Sequence, residues 1–104
     1  MIVEVGLFRI PPDRTGAFEP VADDIRRAFA AGGIGGLHSF HLAEAMEDPA
    51  RFTVLVAWDS VVDHRAFVAS AEGVRQRDLL AGFMVEGQTE VFHVDLPDVE
   101  RGLV

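Results

Sequence analysis

The chain has 104 residues, with nine Arg and no Lys against seventeen Asp plus Glu, for a formal net charge of −8. That length fits one domain, and that charge argues against nucleic acid and anionic membranes as partners, because both need a basic footprint. Hydrophobic residues at 49% mark a globular chain, and the absence of Cys excludes disulfide scaffolds, thiolate metal sites and cysteine nucleophiles.

Residues 1–10 (MIVEVGLFRI) are rich in β-branched residues and close at Pro11-Pro12, which predicts a strand. Apolar residues at both odd and even positions point to a strand covered on both faces. Glu4 and Arg9 interrupt this stretch, so no apolar signal-peptide core is expected and a cytoplasmic location follows. From Asp13 to about Ala31 the period changes: Phe18, Val21/Ala22, Ile25 and Phe29 recur every three or four residues, with Asp23, Asp24, Arg26 and Arg27 mostly opposite. This predicts an amphipathic helix with Asp13 or Thr15 as N-cap. Pro20 implies that the helix either starts near Glu19 or kinks there. Gly32-Gly33 ends it. Ala28 to Ala43 is the longest run without a charge, but its four Gly and two His make it too short and broken to span a bilayer.

A second strand is expected over Leu37–Met46, a turn at Glu47-Asp48-Pro49, and a third, central strand over Phe52–Trp58, where five apolar residues run together. Ser60 then offers an N-cap with Asp63 in the capping-box position. One further helical stretch follows, broken near Gly73. Gly87 separates it from a last strand over Thr89–Leu96, and 97–104 reads as a loose tail, leaving 1–96 as the domain.

The order strand, helix, strand, strand, helix, strand is the ferredoxin-like βαββαβ pattern: an α+β fold with a four-stranded antiparallel sheet and two helices on one face. Two helices cover only one face of a sheet. Phe40, Leu42 and Phe92 are hard to fit beside Val54, Val56 and Trp58 on that face, so an exposed apolar face and a sheet-to-sheet homodimer are expected.

With the βαββαβ order, the turn GGIGGLHSF, strand three running into Trp58-Asp59-Ser60, and the helix SVVDHRAF, the chain resembles the antibiotic biosynthesis monooxygenase superfamily over Met1 to Leu96. The resemblance implies a dimeric α/β barrel. It also implies oxidation of a phenolic, quinol or anthrone-like aromatic by molecular oxygen without cofactor or metal, in a dry cavity between sheet and helices. Other members of the superfamily degrade haem, and many have no established activity. The haem-degrading branch carries an Asn on the first strand and a helical His ligand; this chain has no Asn, and Val68 stands at that helical position.

The residues then divide by role. Trp58 is either core or the wall of a cavity. His64, on the helix after it, is either solvent-facing or, near an unperturbed pKa of roughly 6.5, a base for a phenolic proton. His38 and His41 point to opposite faces of a regular strand and cannot share a metal; one of them lines a cavity, depending on register. His93 is in the same position on strand four. Arg9, Arg75 and Arg77 are either solvated or able to balance an anionic substrate. No HxH, HxxxH or HExxH spacing occurs, so no metal site is expected, and GGIGG lacks the spacing and context of a phosphate loop.

The site expected from this reading has His64 and Trp58 as catalytic residues, with Phe67, His41, His38 and Arg77 binding a small aromatic substrate alongside molecular oxygen. The alternatives are a non-catalytic small-molecule-binding or stress-associated barrel, and a haem-binding protein.

Overall fold

The computed structural model describes residues 1–85 and 88–96; the separator at Gly87 and the tail 97–104 lie outside the described residues. Four strands, β1 (Ile2–Arg9), β2 (Leu37–Glu44), β3 (Arg51–Trp58) and β4 (Glu90–Asp95), form one antiparallel sheet in the order β2-β3-β1-β4. β3 is internal, as its apolar run predicts. Helices α1 (Thr15–Ala30), α2 (Val61–Ala69) and α3 (Ala71–Ala81) complete the ferredoxin-like α+β fold.

α1 opens at Thr15, out of a 3-10 turn over Pro12–Arg14, rather than near Glu19, and neither Asp13 nor any other side chain caps it. Thr15 Oγ1 instead donates to the Pro12 carbonyl at 3.1 Å. Pro20 lies inside the helix, where it withholds the bond that Gly16 O would accept. The helix persists because Phe18, Ala22, Ile25 and Phe29 form a buried stripe against the sheet.

The second helical region is two helices, and the break falls at Ser70 rather than Gly73. Ser70 is extended, and its hydroxyl oxygen accepts from Gly73 N at 3.1 Å, capping α3. Gly73 is needed for another reason. A Cβ there would lie 2.1 Å from the Phe67 carbonyl oxygen, so only Gly lets the first turn of α3 close on the end of α2. Ser60 caps α2 as expected, accepting from Asp63 N at 3.2 Å.

Phe40 lies opposite Val56 and Leu42 opposite Val54, so both share the helix-covered face with Trp58. The expectation that they need a separate face is corrected. A bulge between Leu37 and Ser39 accounts for this: it leaves His38 unpaired and returns Leu37 to the face of Phe40. An uncovered apolar face nevertheless exists; of the three residues expected there it keeps Phe92, and the rest of it comes from other residues. Val5 lies opposite Leu55 and Phe92, with Val3 opposite Val94, and Leu7, Leu55, Phe92 and Val94 are all exposed. Among the described residues no helix is long and apolar enough to cross a membrane.

Candidate active site

Strand alternation places Glu4 on the helix-covered face of β1, opposite Val56 of β3 and His93 of β4. Trp58 ends β3, and the Ser60 cap turns the chain at once into α2, so the first turn of that helix crosses back over the indole. His64 stacks on Trp58 there, with ring centroids 5.5 Å apart and an interplanar angle of 20°.

One carboxylate oxygen joins the two rings. Glu4 Oε1 lies 3.1 Å from Trp58 Nε1, which donates to it, and 3.1 Å from His64 Nε2. On its other side, His64 Nδ1 lies 2.7 Å from His93 Nε2, the rings meeting edge to face at 4.9 Å. Trp58 is fully buried, the Glu4 and His64 side chains are only 16% and 12% exposed, and His93 is exposed. Burial holds the His64 imidazole below its ordinary pKa; the Glu4 charge opposes this, and His93 and Arg65 add to it. These groups form a hydrogen-bonded row from indole to carboxylate to imidazole to imidazole. Such a row suits the holding and movement of a proton.

Of the predicted site residues, Trp58, His64 and Phe67 come together. The Phe67 ring lies 5.7 Å from Trp58 and 5.1 Å from Phe29. Within one chain the other three stand apart from this cluster. His38 sits in the β2 bulge with its ring on the Asp59 carboxylate. His41 lies opposite Leu55 on the uncovered face. Arg77 projects into solvent, 3.8 Å from Asp78. The other two candidate arginines have partners. Arg75 spans Glu72 and Asp24, tying α3 to α1, and Arg9 meets Asp48 at 2.8 Å. The Ala50 N–H, then Arg9, holds the Asp48 carboxyl below its usual range.

Glu4 was missed as a site residue by sequence reasoning. Its signal was nonetheless present: a lone carboxylate inside the apolar run IVEVGLF, which alternation must bury on one face or the other. Two clefts open elsewhere. One of about 580 Å³ lies between Leu7, Arg9, Arg51 and Glu90, and another of about 680 Å³ between Phe18, Arg26 and Glu44. Neither is lined by Trp58 or His64.

Residues 1–75 match the family model for antibiotic biosynthesis monooxygenase. This span carries Glu4, Trp58 and His64 and stops short of His93. Among solved structures, the chain is similar to one from Bordetella bronchiseptica described as an antibiotic biosynthesis monooxygenase, with 28% identity and a TM-score of 0.77 over 92% of this chain and 96% of that one. A counterpart from Nitrosomonas europaea is 22% identical, with a TM-score of 0.78 over 89% of this chain and 86% of that one. One from Deinococcus radiodurans, 13% identical with a TM-score of 0.81 over 96% of both chains, shares the fold. Among curated proteins none matches the sequence.

Proposed function

The chain belongs to the antibiotic biosynthesis monooxygenase family, and on that premise we propose that it is a small cytoplasmic homodimer oxidising a phenolic, quinol or anthrone-like aromatic with molecular oxygen and no cofactor. The observation that carries this reading is the braced imidazole of His64, buried against Trp58 and bonded at both nitrogens. In such a reaction the substrate is its own reductant. Loss of a proton gives an electron-rich phenolate or carbanion, which passes an electron to oxygen. For an anthrone, the methylene becomes a carbonyl and the second oxygen atom leaves as water. The protein's part is to accept the proton and steady the resulting charge in a site poor in water. Trp58 and Phe67 supply the aromatic side of that site, and the uncovered apolar face of the sheet supports pairing with a second copy.

A second reading, a non-catalytic binding barrel, is favoured by one observation: the Trp58 side chain is fully buried and neither cleft reaches it. Oxygen uptake separates the two readings. Wild-type protein incubated with quinols, anthrones and catechols in the presence of a chelator is expected to consume oxygen with at least one class. No uptake across the panel overturns the oxidation and leaves the binding barrel. The haem-binding alternative is weakened because neither His64 nitrogen is open without breaking a bond. Titration with haemin is expected to give no Soret shift that depends on His64.

A further inference from the structure

We infer that His93 takes the proton from the substrate, and that Glu4 and His64 are positioning residues behind it; this rests on the oxidation proposed above. The assignment follows from which atoms can donate. An ionised carboxylate only accepts, so the contact between Glu4 Oε1 and His64 Nε2 requires hydrogen on that nitrogen. Burial keeps the His64 ring neutral near pH 7, so its Nδ1 carries a lone pair. The 2.7 Å contact then requires His93 Nε2–H to donate to it. A neutral His93 is left with a bare Nδ1.

Exposure agrees with this order. Both nitrogens of His64 are engaged and its side chain is nearly enclosed, so it cannot meet a substrate directly. His93 stands on β4, the edge strand of the sheet, where its neighbour on the same face, Val91, is 54% exposed. The row of groups therefore opens outward at His93. Asp95 shares that face of β4 opposite Ile2, Asp63 and Arg65 flank His64 on α2, and Asp59 follows Trp58; these are the other charged groups nearest to the row along its elements.

The step is a proton transfer without redox change. The O–H bond of a phenol, or of the enol form of an anthrone, breaks. Its proton bonds to His93 Nδ1, and the electron pair stays on the substrate oxygen. His93 becomes an imidazolium whose Nε2–H stays bonded to His64 Nδ1, and the neutral His64 stays bonded to the Glu4 carboxylate. One proton leaves the substrate and one is held on the row.

The test uses two readouts on the intact chain. Long-range proton–nitrogen correlation spectra of the nitrogen-15-labelled imidazoles are expected to show both His64 and His93 as Nε2–H tautomers at neutral pH. His64 as the Nδ1–H tautomer, or as imidazolium, overturns the assignment whatever the kinetics show. His93→Gln keeps a donor toward His64 while removing the base, and the exposed position spares the fold. With a substrate that wild type oxidises, this variant is expected to lose about 100-fold in kcat with KM little changed. It should also lose the limb of the pH–rate profile that reports the imidazole. Uptake that persists at wild-type rate in His93→Gln overturns the inference alone. No uptake by wild type overturns the oxidation and the proton transfer with it.

Discussion

Gly73→Ala is the substitution whose consequence the geometry fixes most firmly. An added methyl group would sit 2.1 Å from Phe67 O and 2.9 Å from both Phe67 C and Val68 Cα. All three are backbone atoms, so no rotamer change relieves the clash. One helix must retreat by about 1 Å, and overpacking of this kind costs roughly 1–3 kcal/mol where side chains can yield. With backbone on the receiving side, the upper end of about 3 kcal/mol is expected. For a domain of this size that is a fall in Tm of about 12–24 °C. The strain does not stay local. Phe67 packs on Trp58, and His64 lies one turn earlier on the same helix, so a displaced α2 also loosens the contact with Glu4. Thermal unfolding by circular dichroism measures the loss. A Tm within about 4 °C of wild type would refute the close-packing argument for Gly73.

Gly16→Ala is the converse case: no atom lies within 4 Å of its added methyl group, and it sits in the first turn of α1. It should raise stability by about 0.5–1 kcal/mol in urea unfolding. His64 makes stability depend on pH in a defined direction. Its folded pKa lies below the unfolded value of about 6.5, so the unfolded chain binds the proton more readily. Stability is full above that pH, falls as pH drops through the folded value, and levels below it. Asp48 and Glu72, whose folded pKa values are also lowered, act only further down, in the carboxylate range. Urea midpoints taken between about pH 8 and about pH 5 should fall, and His64→Gln should remove that part of the slope. Leu55→Glu puts a charge on the uncovered face beside Val5 and His41, and should turn a dimer into a folded monomer in sedimentation equilibrium. A wild type that sediments as a monomer at about 100 μM would refute the pairing of sheets.

The strand order and the amphipathic stripe of α1 were readable because each depends on local periodicity. Phe18, Ala22, Ile25 and Phe29 announce their buried face without help from the rest of the chain. What could not be read was register. The β2 bulge at His38 shifts parity, which is why Leu37 and Phe40 share a face that a regular strand would deny them. The site is likewise assembled across strands. Glu4 and His93 are neighbours because β1 and β4 pair in one register, and a slip by one residue would turn Glu4 to the other face. Ser70 was hidden for a related reason: its cap on α3 competes with the more obvious breaker at Gly73. Trp58, His64 and Phe67 were found together because one strand and the helix directly after it supply all three.

The placement of Glu4 raises the question of whether its cluster serves stability or chemistry. A nearly enclosed carboxylate and imidazole gain from each other, but both lose hydration. The sum of such terms is commonly near zero or unfavourable relative to neutral groups of the same shape. Glu4→Gln separates the terms. Its amide oxygen can still accept from Trp58 Nε1 and from His64 Nε2, so the buried indole N–H keeps a partner and only the charge is lost. If the carboxylate were retained for stability, the loss of charge-assisted bonds would cost about 1.5–3 kcal/mol. Relief of desolvation offsets this, so a net change within about 1 kcal/mol at neutral pH is expected. The His64 titration should move further down, because the Glu4 charge is what raises it against burial. A variant that loses more than about 2 kcal/mol while His64 titrates as before would make Glu4 a structural residue. The expected pair, unchanged stability with a displaced titration, means that the carboxylate sets the proton affinity of the ring it holds.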